Sequence, residues 1–360
     1  VGDHAIRVEK LDVLDGLRGL AVLIVLASHY SSAGLFPKPA LHGVGKSGVY
    51  LFFVLSSYLL TRNLLRMPPD ALGRGLTWLD YALRRVLRIW PLYLVVLAVS
   101  WAAHGQAWTV FYDIDAPSLR EHLMLREGRS VLWSIPVEFK FYFLLPLLAV
   151  ALAAMARQRH PPLLQVATFL AALVAVTLLW PPAESIENEV RLWPYLAVFL
   201  CGAFAARVDQ WLAGAVPRPR LWSALGLVAL AAWCLAIPAL WCRLRGIPFE
   251  ASITRTWYLF FGLLWSVLLL ALLHGQPWLK HCFAWKPLRW VGLVSFSMYL
   301  WHMPVLSALL RLGVAERLPL LAPVLVFGLT LAASWGSWRL FERPLQGIRV
   351  GRSGERETRA

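Results

Sequence analysis

The sequence has little charge, and less acid than base. Of its 360 residues only 15% are charged, and 20 acidic side chains face 35 lysines and arginines. It has four cysteines, Cys201, Cys234, Cys242 and Cys282, with no CxxC spacing. That excludes a zinc ribbon, a redox motif and a disulfide framework. We read Cys201 and Cys234 as small core residues and expect no metal site. The chain also lacks the alternating ten-residue segments of a transmembrane β-barrel. It has no internal repeat, no low-complexity linker, and no polar stretch long enough to fold as a soluble domain. No small-residue cleavage site follows a short apolar core near the start, so no removable signal peptide is expected.

What is present is apolar. Hydrophobic residues make up 59% of the chain, with 19 tryptophans and a mean hydropathy of +0.61. Continuous apolar runs of about twenty residues read as an all-α polytopic membrane protein. We expect about ten transmembrane helices, at 13–32, 44–64, 88–104, 133–156, 163–181, 192–206, 221–241, 255–274, 290–309 and 319–340. The sixth is short and carries Pro194, so it is expected to be broken or tilted. The domain organisation is one transmembrane domain over 1–345 and a polar tail, expected to be disordered, over 346–360.

A net charge of +15 would point to nucleic acid in a soluble protein. In a membrane protein it orients the chain instead, and no nucleic-acid partner is expected. With an even number of spans both termini share a side. The segments on that side hold roughly two thirds of the basic residues, among them Arg62, Arg66, Arg74, Arg84, Arg85, Arg88, Arg339 and Arg343. This favours cytoplasmic termini. Trp90, Trp133, Trp193 and Trp290, near span ends, fit an interfacial belt.

The first span carries the most informative pair. Arg18 and His29 are eleven residues apart, three helical turns plus roughly 20°, so both lie on one face about 16 Å apart along the axis. Ionisable groups inside a span face a cavity, a partner or a bundle interior. His29 reads as a hydrogen bond to a neighbouring helix or as a general base. The companion Arg18 favours the second. Glu138, about five residues into the fourth span, is expected at the depth of His29, where a carboxylate would support the imidazole. Its neighbour Lys140 points to another face. Arg84, Arg85 and Arg88 open the third span. They serve either as topological anchors or as a phosphate site, for which arginine's planar fork is suited. His302 precedes Pro304, which leaves a backbone carbonyl unpaired and bends its helix. Glu342 sits at the end of the last span, expected to pair with nearby arginines. Asp15 and Tyr142 are further candidates beside these.

In order along the chain, these segments resemble the acyltransferase-3 family of integral membrane O-acyltransferases, over about 11–345. Leu14-Asp15-Gly16-Leu17-Arg18-Gly19 with His29 looks like its signature of an arginine and a histidine separated by ten residues. Phe52-Phe53-Val54-Leu55-Ser56 is similar to its second-span motif, and Arg84-Arg85-Val86-Leu87-Arg88 to its arginine-rich third span. Trp133-Ser134 with Glu138, Phe141 and Tyr142 resembles its fourth-span block. Tyr299-Leu300-Trp301-His302-Met303-Pro304 and Phe341-Glu342-Arg343-Pro344 match its last two spans. Two positions depart. Ser57 stands where the family usually has glycine, and Phe139-Lys140 follow Glu138 where it commonly has Glu-Gln. Some relatives carry a fused hydrolase-like domain; none is expected here.

The resemblance implies transfer of an acyl group, often acetyl, from acetyl-CoA or another acyl-CoA to a hydroxyl of a carbohydrate or small-molecule acceptor. His29 would be the catalytic histidine, Arg18 its companion, Glu138 its support, and Arg84, Arg85 and Arg88 the coenzyme-binding group. The location implied is a cell membrane, of the bacterial inner-membrane kind. Acyl-His and direct transfer both stay open, as does oligomeric state. Lipopolysaccharide, exopolysaccharide, peptidoglycan, lipid-linked sugars and secondary metabolites are all admissible acceptors. The rival expectation is a transporter or flippase without covalent chemistry.

Overall fold

A computed structural model describes residues 2–36, 41–107, 109–157 and 160–348. Beyond Ile348 the expected polar tail lies outside the described residues. Among the described residues there is no strand. The helices that matter for the site are α1 (Gly2–Ser32), α2 (Gly45–Leu65), α3 (Gly75–Ala102), α4 (Ser134–Arg157), α5 (Pro162–Leu179), α6 (Leu196–Ala213), α7 (Pro219–Leu235), α8 (Pro238–Arg245), α9 (Tyr258–His274), α10 (Pro277–Phe283), α11 (Lys286–Leu293), α12 (Ser295–Arg311) and α13 (Ala322–Ser337).

Among the described residues, six helical segments are long and apolar enough to cross a membrane, and nine if each of three bent pairs counts as one span. The protein is an all-α, multi-pass membrane protein. Two of the three bends fall where the chain forbids a straight helix. Gln276 and Ile237 each precede a proline and are held extended, with ψ of 154° and 124°, because the proline ring excludes the helical region one residue earlier. The resulting turns are 116° between α9 and α10 and 75° between α7 and α8. The expected straight spans at 221–241 and 290–309 are therefore corrected. The first breaks at Pro238, and the second begins inside α11 and turns 77° into α12 at Val294. The sixth span does start irregularly, with a 3₁₀ turn at Trp193–Tyr195 ahead of α6.

The third expected span falls on α3. That helix begins at Gly75, so Arg84, Arg85 and Arg88 sit in its body rather than at its start. Pro304 in α12 cannot donate to Leu300, and the Tyr112 hydroxyl donates to that carbonyl instead at 2.9 Å, as a proline inside a membrane helix requires.

The core is built on α1 and α2. These pack on each other, α2 packs on α6 and α4, and α1 packs on α11 and α12. Close approach of α1 to α10 and α11 depends on glycine. A Cβ added at Gly16 would lie 1.8 Å from the Phe283 carbonyl oxygen, and one at Gly292 would lie 1.8 Å from the Asp15 oxygen. Both obstacles are backbone, so only helix separation relieves them. Gly16→Ala is expected to cost about 1–3 kcal/mol, the range for overpacking, seen as a lower thermal midpoint in detergent. A midpoint equal to wild type would refute the tight crossing.

Two buried features differ from expectation. Arg62, expected as a topological anchor, is only 7% exposed. Its Nε lies 3.3 Å from Asp209 Oδ2, and Asp209 also holds Tyr58 (2.9 Å) and His274 (2.8 Å). A carboxylate bound this way offsets the burial of the cation. Among the cysteines, Cys201 is buried but Cys234 is exposed, because α7 turns it away from the bundle.

Candidate active site

α1 turns Arg18 and His29 inward, into two different cavities. Arg18 lines one of about 800 Å³, with Arg85, Arg88, Ser56, Glu138 and Tyr142. His29, in the last turn of α1, lines another of about 850 Å³, with His42, Lys46, Trp133, Glu187 and Arg255. The cavities adjoin, because Val49 and Tyr299 line both. Tyr299 is fixed there, donating to the Val131 oxygen at 2.5 Å and accepting from Ser134 Oγ at 2.9 Å.

The first cavity is strongly cationic: three guanidiniums share it with a single carboxylate. Arg18 is partly neutralised by Asp15, 3.0 Å away. Arg85 lies 5.7 Å over the Tyr142 ring, and its buried Nε has no hydrogen-bond partner among the described residues. Glu138 accepts from Ser56 and from Tyr142 at 2.6 Å. Behind the cavity the chain forms a π-helical turn at Trp338–Glu342, a feature frequent at functional sites. Glu342 there accepts from Ser297 at 2.5 Å.

The second cavity is edged by strained backbone. Ser130 and Asn188, both lining it, hold left-handed φ of 51° and 54°, which persists only where the surroundings dictate it. Lys46 Nζ sits 4.8 Å over the Trp133 ring. The loop leading to Ser130 is clamped beforehand. His122 receives the Arg129 N–H at 3.1 Å, and Glu127 accepts from Arg129 and Ser118 at 2.7 and 2.8 Å. Burial pushes the Glu127 carboxyl up, but those two hydrogen bonds outweigh it and hold it below the usual range.

The structure gathers Arg18, Arg85, Arg88, Glu138 and Tyr142 around one chamber, with Asp15 paired to Arg18, and sets His29 in the other, with the His302 ring packed against it. Arg84 does not join them: its Nη2 pairs with Asp80 at 2.6 Å. Glu138 is not beside His29. A depth counted from Trp133 as an interfacial residue does not hold, because Trp133 is 3% exposed and buried at the histidine cavity. The span thus starts deep, and Glu138, a turn further, reaches the arginine chamber. Lys140 donates to the Val190 oxygen at 2.8 Å, tying α4 to the loop before α6. Ser57, in the family's glycine position, donates to the Phe199 oxygen at 2.6 Å and ties α2 to α6. Sequence reasoning missed Ser56, Lys46, Arg255 and Tyr299. Ser56 and Tyr299 stood within quoted motifs; Lys46 and Arg255 carried no signal.

Comparison with known proteins identifies the family. Residues 11–339 match the family model of the acyltransferase-3 domain, described as an acyltransferase domain. The chain belongs to this family. Among curated proteins, it is 25% identical to the peptidoglycan O-acetyltransferase OatA of Listeria monocytogenes, over 92% of this chain and 55% of OatA. It is 26% identical to the putative peptidoglycan O-acetyltransferase YrhL of Bacillus subtilis, over 81% of this chain and 48% of that protein. It is 27% identical to the putative membrane-bound transacylase BcsY of Komagataeibacter xylinus, over 81% of this chain and 72% of BcsY. This acyltransferase-3 chain spans about half the length of the first two. No solved structure matches it. Among the described residues no cluster of metal-ligating side chains is present.

Proposed function

We propose that this acyltransferase-3 protein moves an acyl group, acetyl in the simplest case, from coenzyme A on one side of the membrane to a carbohydrate hydroxyl on the other. The observation that carries the reading is the pair of adjoining cavities: a cationic chamber and a histidine chamber, meeting at Val49 and Tyr299. Arg85 and Arg88 hold the donor's phosphates, since guanidinium forks bind phosphate oxygens in pairs. Their chamber fits that use, because Arg85 keeps a buried donor without a partner. Arg18, one chamber away from His29, holds the shaft of the donor. Glu138, Ser56 and Tyr142 offer acceptors and donors to its amide groups. With cytoplasmic termini, the arginine chamber opens inward, where acyl-CoA is made.

The acceptor sugar enters the histidine chamber, between the Trp133 face and the polar rim of Ser130, Asn188 and Ser252. His29 takes the proton of the attacking hydroxyl as its oxygen bonds to the thioester carbonyl carbon. The carbon–sulfur bond then breaks, and the imidazolium gives its proton to the departing thiolate. Peptidoglycan is the acceptor favoured by the names of OatA and YrhL.

Mass spectrometry of cell-envelope glycans from strains with and without the protein tests this. The expected result is one acyl mass on a glycan of the producing strain, lost on deletion and on His29→Gln. Identical glycans in both strains would overturn the proposal. A transporter would instead move its substrate with no acyl-CoA consumed.

A further inference from the structure

The histidine chamber has a second imidazole behind the first. His302, on α12, is 0% exposed. Its Nδ1 lies 2.8 Å from the Tyr299 carbonyl and 3.2 Å from the Met298 carbonyl. Carbonyls only accept, so Nδ1 carries the proton, and the neutral ring presents a bare lone pair on Nε2. That Nε2 is buried and has no hydrogen-bond partner among the described residues. A buried acceptor left unmatched is costly, and native proteins rarely keep one without a use. Its ring neighbours are Tyr299, at 5.9 Å, and His29, at 5.2 Å and tilted by 46°. About 5 Å between centroids is what two imidazoles joined by one N–H···N bond require, given an N···N distance of about 3 Å. Tyr299 offers no proton, because its hydroxyl is already spent on Val131.

We propose that His302 is a positioning residue for His29: its Nε2 accepts the N–H of His29 and so fixes which His29 nitrogen keeps the lone pair. A small turn of the His29 ring closes the bond. The second nitrogen of His29 then faces the cavity with Lys46, His42 and Arg255 around it. The backbone of α12 supplies the anchor, since the Met298 and Tyr299 carbonyls hold the His302 ring from behind. No proton need leave His302 in the reaction. It orients the base and shares the charge when His29 is protonated, as the third member of a catalytic triad does.

The inference rests on the acyl-transfer reading, so its test has one readout independent of turnover. His302→Phe keeps the ring's bulk and removes the acceptor, whereas His302→Gln restores an acceptor oxygen near the Nε2 position. Diethyl pyrocarbonate labels a histidine at its lone pair, and peptide mass spectrometry reads His29 alone. We expect labelling of His29 to slow several-fold in His302→Phe and to stay near wild type in His302→Gln. With acyl-CoA and acceptor, kcat is expected to fall about 10–100-fold in His302→Phe with KM unchanged, and to return with His302→Gln. Should His302→Phe fail to fold in detergent, His302→Asn takes its place, because its amide is too short to reach His29. Equal His29 labelling in wild type, the Phe (or Asn) variant and the Gln variant would overturn the inference. Normal labelling differences with no acyl transfer by wild type would overturn the acyl-transfer reading and leave the pairing standing.

Discussion

His29→Gln is expected to lower kcat by about 10²–10⁴-fold, the usual contribution of a positioned general base, while KM for both substrates changes little. Glutamine keeps the length and hydrogen-bonding capacity of the side chain but has no basic nitrogen. The ring it replaces sits in the last turn of α1, half-buried at the edge of a polar chamber, so its removal leaves no core cavity. The thermal midpoint should therefore match wild type, and so should stabilisation by coenzyme A, whose proposed site is the other chamber. That combination separates lost chemistry from lost structure. Turnover of the variant at the wild-type rate would remove His29 from the mechanism. A loss expressed in KM alone would make it a binding residue instead.

How far the sequence reaches can be judged from particular residues. Arg18 and His29 were legible because one uninterrupted helix fixes their relation. Eleven residues at 100° each leave no freedom once the span is recognised, and both side chains do face chambers inside the bundle. The bends at Pro238 and Pro277 were legible in principle, since proline constrains the residue before it. The turn at Val294 had no such mark. Glu138 shows where the reading fails. Hydropathy places a span to within a few residues but not its depth, and a tryptophan near a span end does not by itself mark the membrane surface. Trp133 is instead the floor of a chamber under Lys46. The partners of His29 come from α2, the 185–192 loop, the segment before α9, and α12. Nothing local in the chain announces that those meet. Arg84 and Arg85 are adjacent in sequence, yet one pairs with Asp80 outside the chamber and the other enters it. Only the rotation of α3 against α4 decides between them.

That division gives the second large effect. Replacing both Arg85 and Arg88 with glutamine is expected to weaken coenzyme A binding by about 10²–10⁴-fold, since hydrogen bonds to charged groups contribute about 1.5–3 kcal/mol each. Coenzyme A at a hundred times its dissociation constant stabilises the wild-type native state by about 2.7 kcal/mol. The double variant should show almost none of that shift at the same concentration. Without ligand its midpoint should be equal or higher, because three guanidiniums around one chamber repel one another and two are gone. Misfolding would move the midpoint the opposite way. Arg84→Gln serves as the control: its partner Asp80 lies on the same helix outside the chamber, so binding should be unchanged. Coenzyme A lacking its 3′-phosphate should bind wild type more weakly, and the gap between the two ligands should narrow in the double variant. Wild-type affinity should also fall as salt rises, to the degree that the chamber's mouth is hydrated. If the double variant were stabilised by coenzyme A as strongly as wild type, the arginines would be topological anchors, and the donor would have to enter elsewhere.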